Sequence, residues 1–293
     1  MKFGRHYFLP LIISCLCIAS SAQDVSDAYT ALNGNWHLTG EWASKPFQAI
    51  NLSLGIDGRM IYGEARLLMP CISAGRTSGT DWEVFVEGRI ASDGSFVLGN
   101  QYDMPPDIPA HIVSIHGTPP AVGSTEWSGS FDISAFTAKT SPTPQECPAV
   151  SGSFIATQFP PLNGVYEGTI RVGNKDNEAY VSLDVAQGKL ISTKSLGAFA
   201  HVIPLDAKIT VTGSSSLPSN TFESRTQSED NNRIAGNTFQ LHFLGGNDGT
   251  TFQADGSFSP SNESRIRVNL FYVSKDESGK LHTVHGDGWL TRQ

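Results

Sequence analysis

The sequence predicts an all-β protein, with two tandem antiparallel β-barrel or β-sandwich units following an N-terminal leader. Three observations carry this. Apolar and polar residues alternate with period two in Trp82-Glu83-Val84-Phe85-Val86-Glu87, Ala207-Lys208-Ile209-Thr210-Val211-Thr212, Phe239-Gln240-Leu241-His242-Phe243 and Ile266-Arg267-Val268-Asn269-Leu270-Phe271, which puts one face of each run toward a core. Asp57-Gly58, Asp93-Gly94, Asp248-Gly249, Asp255-Gly256 and Ser278-Gly279 punctuate such runs. Asp-Gly pairs favour tight hairpin turns because both central residues take positive φ. Finally, 29 Gly and 16 Pro accompany only 16% charged residues, a balance foreign to coiled coils, helical repeats and charged disordered chains.

The leader comes first. Lys2, Arg5 and His6 precede an apolar run from Tyr7 to Ala19, and Ser20-Ser21-Ala22 supplies small residues before Gln23. This reads as a signal peptide, residues 1–22, cleaved after Ala22. Ile12-Ile13-Ser14-Cys15 also fits a lipobox, in which Cys15 would carry a lipid anchor. The expected location is secreted or periplasmic, with an outer-membrane lipoprotein through Cys15 as the alternative. The apolar run is shorter than the about 20 residues a spanning helix needs, and no later stretch qualifies as a transmembrane span.

Net charge is −8. Losing Lys2 and Arg5 with the leader leaves 18 basic against 28 acidic residues, a net of −10. No basic excess is present to neutralise phosphates, so a nucleic-acid partner is not expected. Cleavage also leaves two of the four cysteines, Cys71 and Cys147. An isolated pair in an oxidising compartment reads as a disulfide. It would close a loop of 76 residues, with a chain-entropy contribution of about 4 kcal/mol.

After an N-terminal segment, residues 23–31, the chain looks duplicated. Leu32-Asn33-Gly34-Asn35-Trp36 recurs as Leu162-Asn163-Gly164-Val165-Tyr166. The first unit runs over 32–158 and the second over 162–293, joined by a Pro-rich hinge, 159–161. Two long irregular insertions, Tyr102 to Val122 with five prolines and Ser214 to Arg233, sit at similar places in the two halves.

Gly34-Asn35-Trp36 and Gly164-Val165-Tyr166 resemble the G-x-W entry of the lipocalin and wider calycin group, the second copy substituting Tyr for Trp. The resemblance implies small antiparallel barrels whose entry aromatic plugs one end and whose interior holds a small apolar ligand. Signal peptide, G-x-W start and Asp-Gly-Ser-Phe strands together are similar to uncharacterised exported β proteins of bacteria, which implies a compartment and a fold type.

No chemistry-bearing motif stands out. Glu83 and Glu87 share a strand face, but four residues along a strand span roughly 13 Å, beyond the roughly 5–9.5 Å of glycosidase carboxylates; they read as solvated. His282 and His285 point to opposite faces of a strand. Glu229-Asp230-Asn231-Asn232 lacks the alternation of a calcium loop. No nucleophile elbow, phosphate loop or dinucleotide fingerprint occurs. The expectation is therefore no enzyme, no catalytic residue, no metal and no cofactor. Trp42, between Glu41 and Ala43, and Trp127, between Glu126 and Ser128, are the candidate ligand-binding residues, with core placement as the competing reading. The leading function is a non-catalytic extracytoplasmic binding module for a small apolar ligand or a glycan. A structural or adhesive envelope protein is the alternative, and an exported hydrolase ranks last.

Overall fold

The computed structural model describes residues 29–42, 45–73, 76–101, 109–138, 144–173, 177–189, 191–195, 198–224, 232–244, 250–259, 262–276 and 278–293. The leader and the lipobox Cys15 lie outside them. The described architecture is all-β, as the alternation requires.

The first sheet contains β1 (Gly34–Trp42), β2 (Lys45–Asp57), β3 (Met60–Ser73), β4 (Arg76–Ile90), β5 (Phe96–Gly99), β6 (Val113–Gly117), β7 (Glu126–Ile133), β8 (Phe136–Ala138), β9 (Gln145–Cys147) and β10 (Val150–Phe159). The order is β2-β1-β10-β7-β6-β5-β4-β3-β9-β8, and an added β2–β3 pairing closes an eight-stranded barrel. Every neighbour pair is antiparallel. Closure leaves the barrel without an edge for another chain to extend. The β8–β9 hairpin hangs on the far end of β3, where Ile72 pairs with Glu146. There Cys71 and Cys147 form the disulfide, with Cα atoms 4.1 Å apart.

The second half has β11 (Asn163–Val172), β12 (Glu178–Gln187), β13 (Ile191–Ser195), β14 (Ala198–Val202), β15 (Leu205–Thr212), β16 (Asn220–Glu223), β17 (Arg233–Ala235), β18 (Thr238–Leu244), β19 (Thr251–Ser259), β20 (Asn262–Lys275) and β21 (Leu281–Arg292). Nine of these follow the order β16-β15-β12-β11-β21-β20-β19-β18-β17, and β13–β14 is a separate hairpin. This sheet curls toward closure, and among the described residues a single bridge between Ser224 and Phe243 spans the gap.

Each unit begins alike. Gly34 and Gly164 take φ of 134° and 110°, which an L side chain rarely adopts. The next-but-one aromatic, Trp36 or Tyr166, is fully buried. Trp36 faces Gln158 on the last strand of its unit, and Tyr166 faces Arg292 on the last strand of its own. The Trp36 indole N–H donates to the Leu32 carbonyl at 2.8 Å. Burying such a side chain contributes about 1.5–3 kcal/mol or more, so the entry aromatic anchors the closure of each sheet.

Several expectations are corrected. Tyr102 to Val122 is not wholly irregular: Val113–Gly117 is β6, a full stave of the barrel. Its inward residues Val113 and Ile115 alternate with half-buried ones, but the strand is too short to stand out among prolines. Ser214 to Arg233 likewise contains β16. Asp255-Gly256 is no turn. It lies inside β19, where the Phe239 ring occupies the space a Cβ on Gly256 would need, 2.2 Å from the nearest ring atom. By contrast Gly58, Gly94 and Gly279 do sit at positive φ in turns, while Asp248-Gly249 falls outside the described residues.

Candidate functional site

The two cores decide where a ligand is able to sit. In the first barrel Trp127 is 5% exposed. Its ring meets Trp36 at 6.1 Å, Phe96 at 5.5 Å and Phe154 at 5.0 Å, all edge to face. Such aromatic pairs add about 0.5–1.5 kcal/mol each beyond area burial. Trp127 is therefore part of the filling of the barrel and offers no exposed platform; the residue before it, Glu126, points outward and the strand alternation sends Trp127 in. Trp42 ends β1 opposite Gly152, and its side chain lies outside the described residues. The second core is filled by Phe222 stacked on Phe252 at 4.9 Å, and by Phe243 and Tyr272 around the same ring.

The outer face is different. Where β1, β10 and β7 run side by side, Thr39, Gly40, Ser128, Gly129, Ser153, Phe154 and Ile155 line an open depression of about 790 Å³. Ile155 stands 53% exposed at its centre, with Thr39 opposite on one side and Ser128 on the other. The Phe154 ring is buried on the inner side against Trp127. An exposed aliphatic side chain ringed by hydroxyls is a surface that takes a ligand with both apolar and hydroxyl-bearing faces.

A second constellation joins the units. Asn35 and Gln187 exchange side-chain hydrogen bonds of 2.9 and 3.0 Å. The Ser53 hydroxyl donates to Asn35 Oδ1 at 2.8 Å and accepts from the Gly236 amide at 3.0 Å. Gly236, the tip of the β17–β18 hairpin at φ 56°, lies so close that a Cβ there would fall 2.5 Å from the Trp36 carbonyl oxygen. Arg233 on β17 reaches Glu83 Oε2 at 3.1 Å and Glu64 Oε1 at 3.8 Å, with its guanidinium over the Phe85 ring at 5.5 Å. Glu83 is thus no free solvated carboxylate; it is bonded across the seam between the units. Glu64, 17% exposed on its side chain, has its pKa pushed up to about 8. Desolvation by burial is the main cause, Arg233 opposes it, and the Glu83 charge adds to it. The segment between the sheets is also anchored: the Leu162 amide donates to Gln187 Oε1 at 2.9 Å and Asn35 Nδ2 to the Pro160 carbonyl at 3.3 Å. These contacts hold the two units against each other.

The histidines serve local structure. His282 Nε2 lies 2.8 Å from Asp276 Oδ2 across the β20–β21 turn. Hydrogen bonds from Ser278, then His282, hold the Asp276 carboxyl well below the usual carboxylate range. The His285 ring meets Phe271 edge to face at 4.9 Å. Of the proposed oxygen cluster, Asn232 is described, and it donates to the Leu205 carbonyl and accepts from the His242 amide. Among the described residues, three or more His, Cys, Asp or Glu side chains do not gather where they would hold a metal ion, and no helix there is long and apolar enough to cross a membrane.

No protein-family model and no curated protein matches the chain. Among solved structures, it is similar to a candidate outer membrane protein of Bacteroides fragilis, at 9% identity over 91% of this chain and 99% of that one, with a TM-score of 0.25. It is also similar to transferrin binding protein B of Haemophilus parasuis in two mutant forms. The double mutant matches at 9% identity over 85% of this chain and 55% of that one, TM-score 0.24. The single mutant matches at 10% identity over 86% and 62%, TM-score 0.22.

Proposed function

We propose that the protein is a non-catalytic extracytoplasmic binding module whose ligand is a glycan held on the outer face of its sheets. The observation that carries this reading is the contrast between the two sides of the first barrel. Inside, Trp36, Phe96, Trp127 and Phe154 occupy the space that a small apolar ligand would need. Outside, the depression around Ile155 is open and lined by hydroxyls. The disulfide supports an oxidising compartment, and the signal-peptide reading of residues 1–22 supports export.

Native gels cast with soluble neutral polysaccharides test this. Retardation of the protein by at least one of them is expected, together with no uptake of a fluorescent fatty-acid probe. Uptake of the probe without retardation by any polysaccharide would move the ligand into a barrel and overturn the proposal. Retardation by none, with no probe uptake, would leave the adhesive or structural role in its place.

A further inference from the structure

The second unit repeats the strand register beneath the depression on the first, with different side chains. The closing pairs Trp36–Gln158 and Tyr166–Arg292 align the two units strand for strand. Three residues further along the first strand, Thr39 faces Ile155. In the second unit the register, Tyr166 with Arg292 and Ile170 with Gly288, sets Thr169 opposite Trp289. The neighbouring strand places Ser128 beside Ile155 in one unit and Arg267 beside Trp289 in the other. Beyond Thr169, β12 adds Tyr180. Trp289 is 42% and Tyr180 45% exposed, whereas the neighbours of Trp289 along its strand, Gly288 and Leu290, turn inward.

We propose that this row, Tyr180, Thr169, Trp289 and Arg267, is a glycan-binding site that takes a chain of neutral sugar units lying across the strands. It rests on the reading above that the ligand is a glycan on an outer sheet face, and it names the residues that hold one. Tyr180 and Trp289 lie two strands apart, roughly 10 Å at the usual strand spacing. A chain of linked rings spans that distance with an apolar ring face over each aromatic; a single small molecule does not.

The polar groups between and beside the rings fit hydroxyl-bearing ligands. Glu167, one residue pair along, accepts from the Ser182 hydroxyl at 3.1 Å and from the Tyr180 hydroxyl. That bond fixes the tyrosine and leaves carboxylate oxygen lone pairs for sugar hydroxyls. The Arg265 guanidinium lies over the Trp289 ring at 4.9 Å, which holds the indole in one orientation.

Charge selects a neutral ligand. Arg267 is paired with Asp287 at 3.9 Å, Glu167 is met by its two hydroxyl donors, and the whole chain is net negative at −8. The remaining cation, Arg265, lies against the Trp289 ring, so an anionic polymer gains little from such a face at physiological salt. A protein partner would want a larger desolvated apolar centre than two separated rings provide. Trp and Tyr on a rigid sheet instead supply broad amphipathic contact at low cost in side-chain freedom.

Affinity electrophoresis of the intact protein in gels cast with β-1,3-glucan, β-1,4-mannan or α-1,6-dextran tests the site, with alginate as the anionic comparison. Retardation by a neutral polymer should weaken at least ten-fold in Trp289→Ala and in Tyr180→Ala, which sit on different strands. Trp289→Phe should keep most of it, and Val97→Ala, which trims an exposed aliphatic on β5 away from both faces, should change it less than three-fold. Circular dichroism melts of the variants establish that they fold.

Retardation unchanged in both alanine variants would overturn this site while leaving a glycan ligand in place. Retardation lost on Ile155→Ala and kept in Trp289→Ala would move the site to the first unit. Retardation by alginate alone would overturn the neutral ligand. Retardation by none of the four would overturn both the site and the glycan reading.

Discussion

The two units solve one problem with different amounts of reinforcement. Both are meanders that bring the last strand back beside the first, at an entry aromatic set behind a glycine of positive φ. The first unit closes through a continuous β2–β3 ladder from Ile50–Leu67 to Asp57–Met60 and carries a disulfide. Among the described residues the second closes through one isolated bridge, Ser224–Phe243, and neither cysteine of the pair belongs to it. A closed hydrogen-bonded wall distributes strain over many pairs, while a bridged wall depends on its side chains. The second core accordingly stacks Phe222 on Phe252 just behind the gap. One template thus closes by a ladder in one unit and by a bridge with packed rings in the other.

The comparison breaks most readily at the entry aromatics. Trp36→Ala should cost about 3–5 kcal/mol, the range for deleting a large buried ring, and denaturant unfolding followed by tryptophan fluorescence should show it. Tyr166→Ala should destabilise the second unit comparably, while Tyr166→Phe should cost less than about 1 kcal/mol, since its hydroxyl bond to Asn163 is long at 3.4 Å.

Removing both sulfurs with Cys71→Ala and Cys147→Ala should cost about 2–4 kcal/mol. Calorimetry should assign that loss to the first unit, with the second unchanged; equal losses in both would show that the seam couples them fully.

The seam itself comes next. Arg233→Ala leaves the Glu83 carboxylate half-buried without its cation, at a cost of about 2 kcal/mol after discounting for solvent. It should also move the calorimetric transitions of the two units further apart. Gly236→Ala should act in the same direction, through backbone strain and the clash with the Trp36 carbonyl.

The smallest effect is one of pH. Burial holds Glu64 protonated up to about 8, against 4.5 unfolded. The folded protein therefore binds a proton that the unfolded chain has released, and its contribution, full below about pH 4.5, declines as pH rises toward 8. Glu64→Gln should flatten this slope in a series of melts, and the nearby His242, whose pKa burial lowers, should leave the remainder.

Much of the fold was legible in local pattern. Alternation in Trp82–Glu87 and Ile266–Phe271 gave strand faces correctly, and Asp57-Gly58 and Asp93-Gly94 marked real turns. Two of the failures share a cause, in that they concern partners outside the local stretch of chain. Glu83 looks solvated until Arg233, 150 residues on, arrives over it. Asp255-Gly256 looks like a turn until Phe239 from the neighbouring strand needs the room. Trp127 looks like a platform beside polar neighbours, yet its strand parity already sent it inward. Trp289 carried a signal that was present and unused: between Gly288 and Leu290 its parity is outward, and a large indole on an outward position is what a contact surface requires.

The link between Cys71 and Cys147 has a consequence for cleavage. A protease that cuts the backbone at any point between them leaves one covalent molecule, its two pieces still tied by sulfur at the end of β3. A nicked copy would migrate as intact until reduced, and the staves on either side of the wound would stay in place.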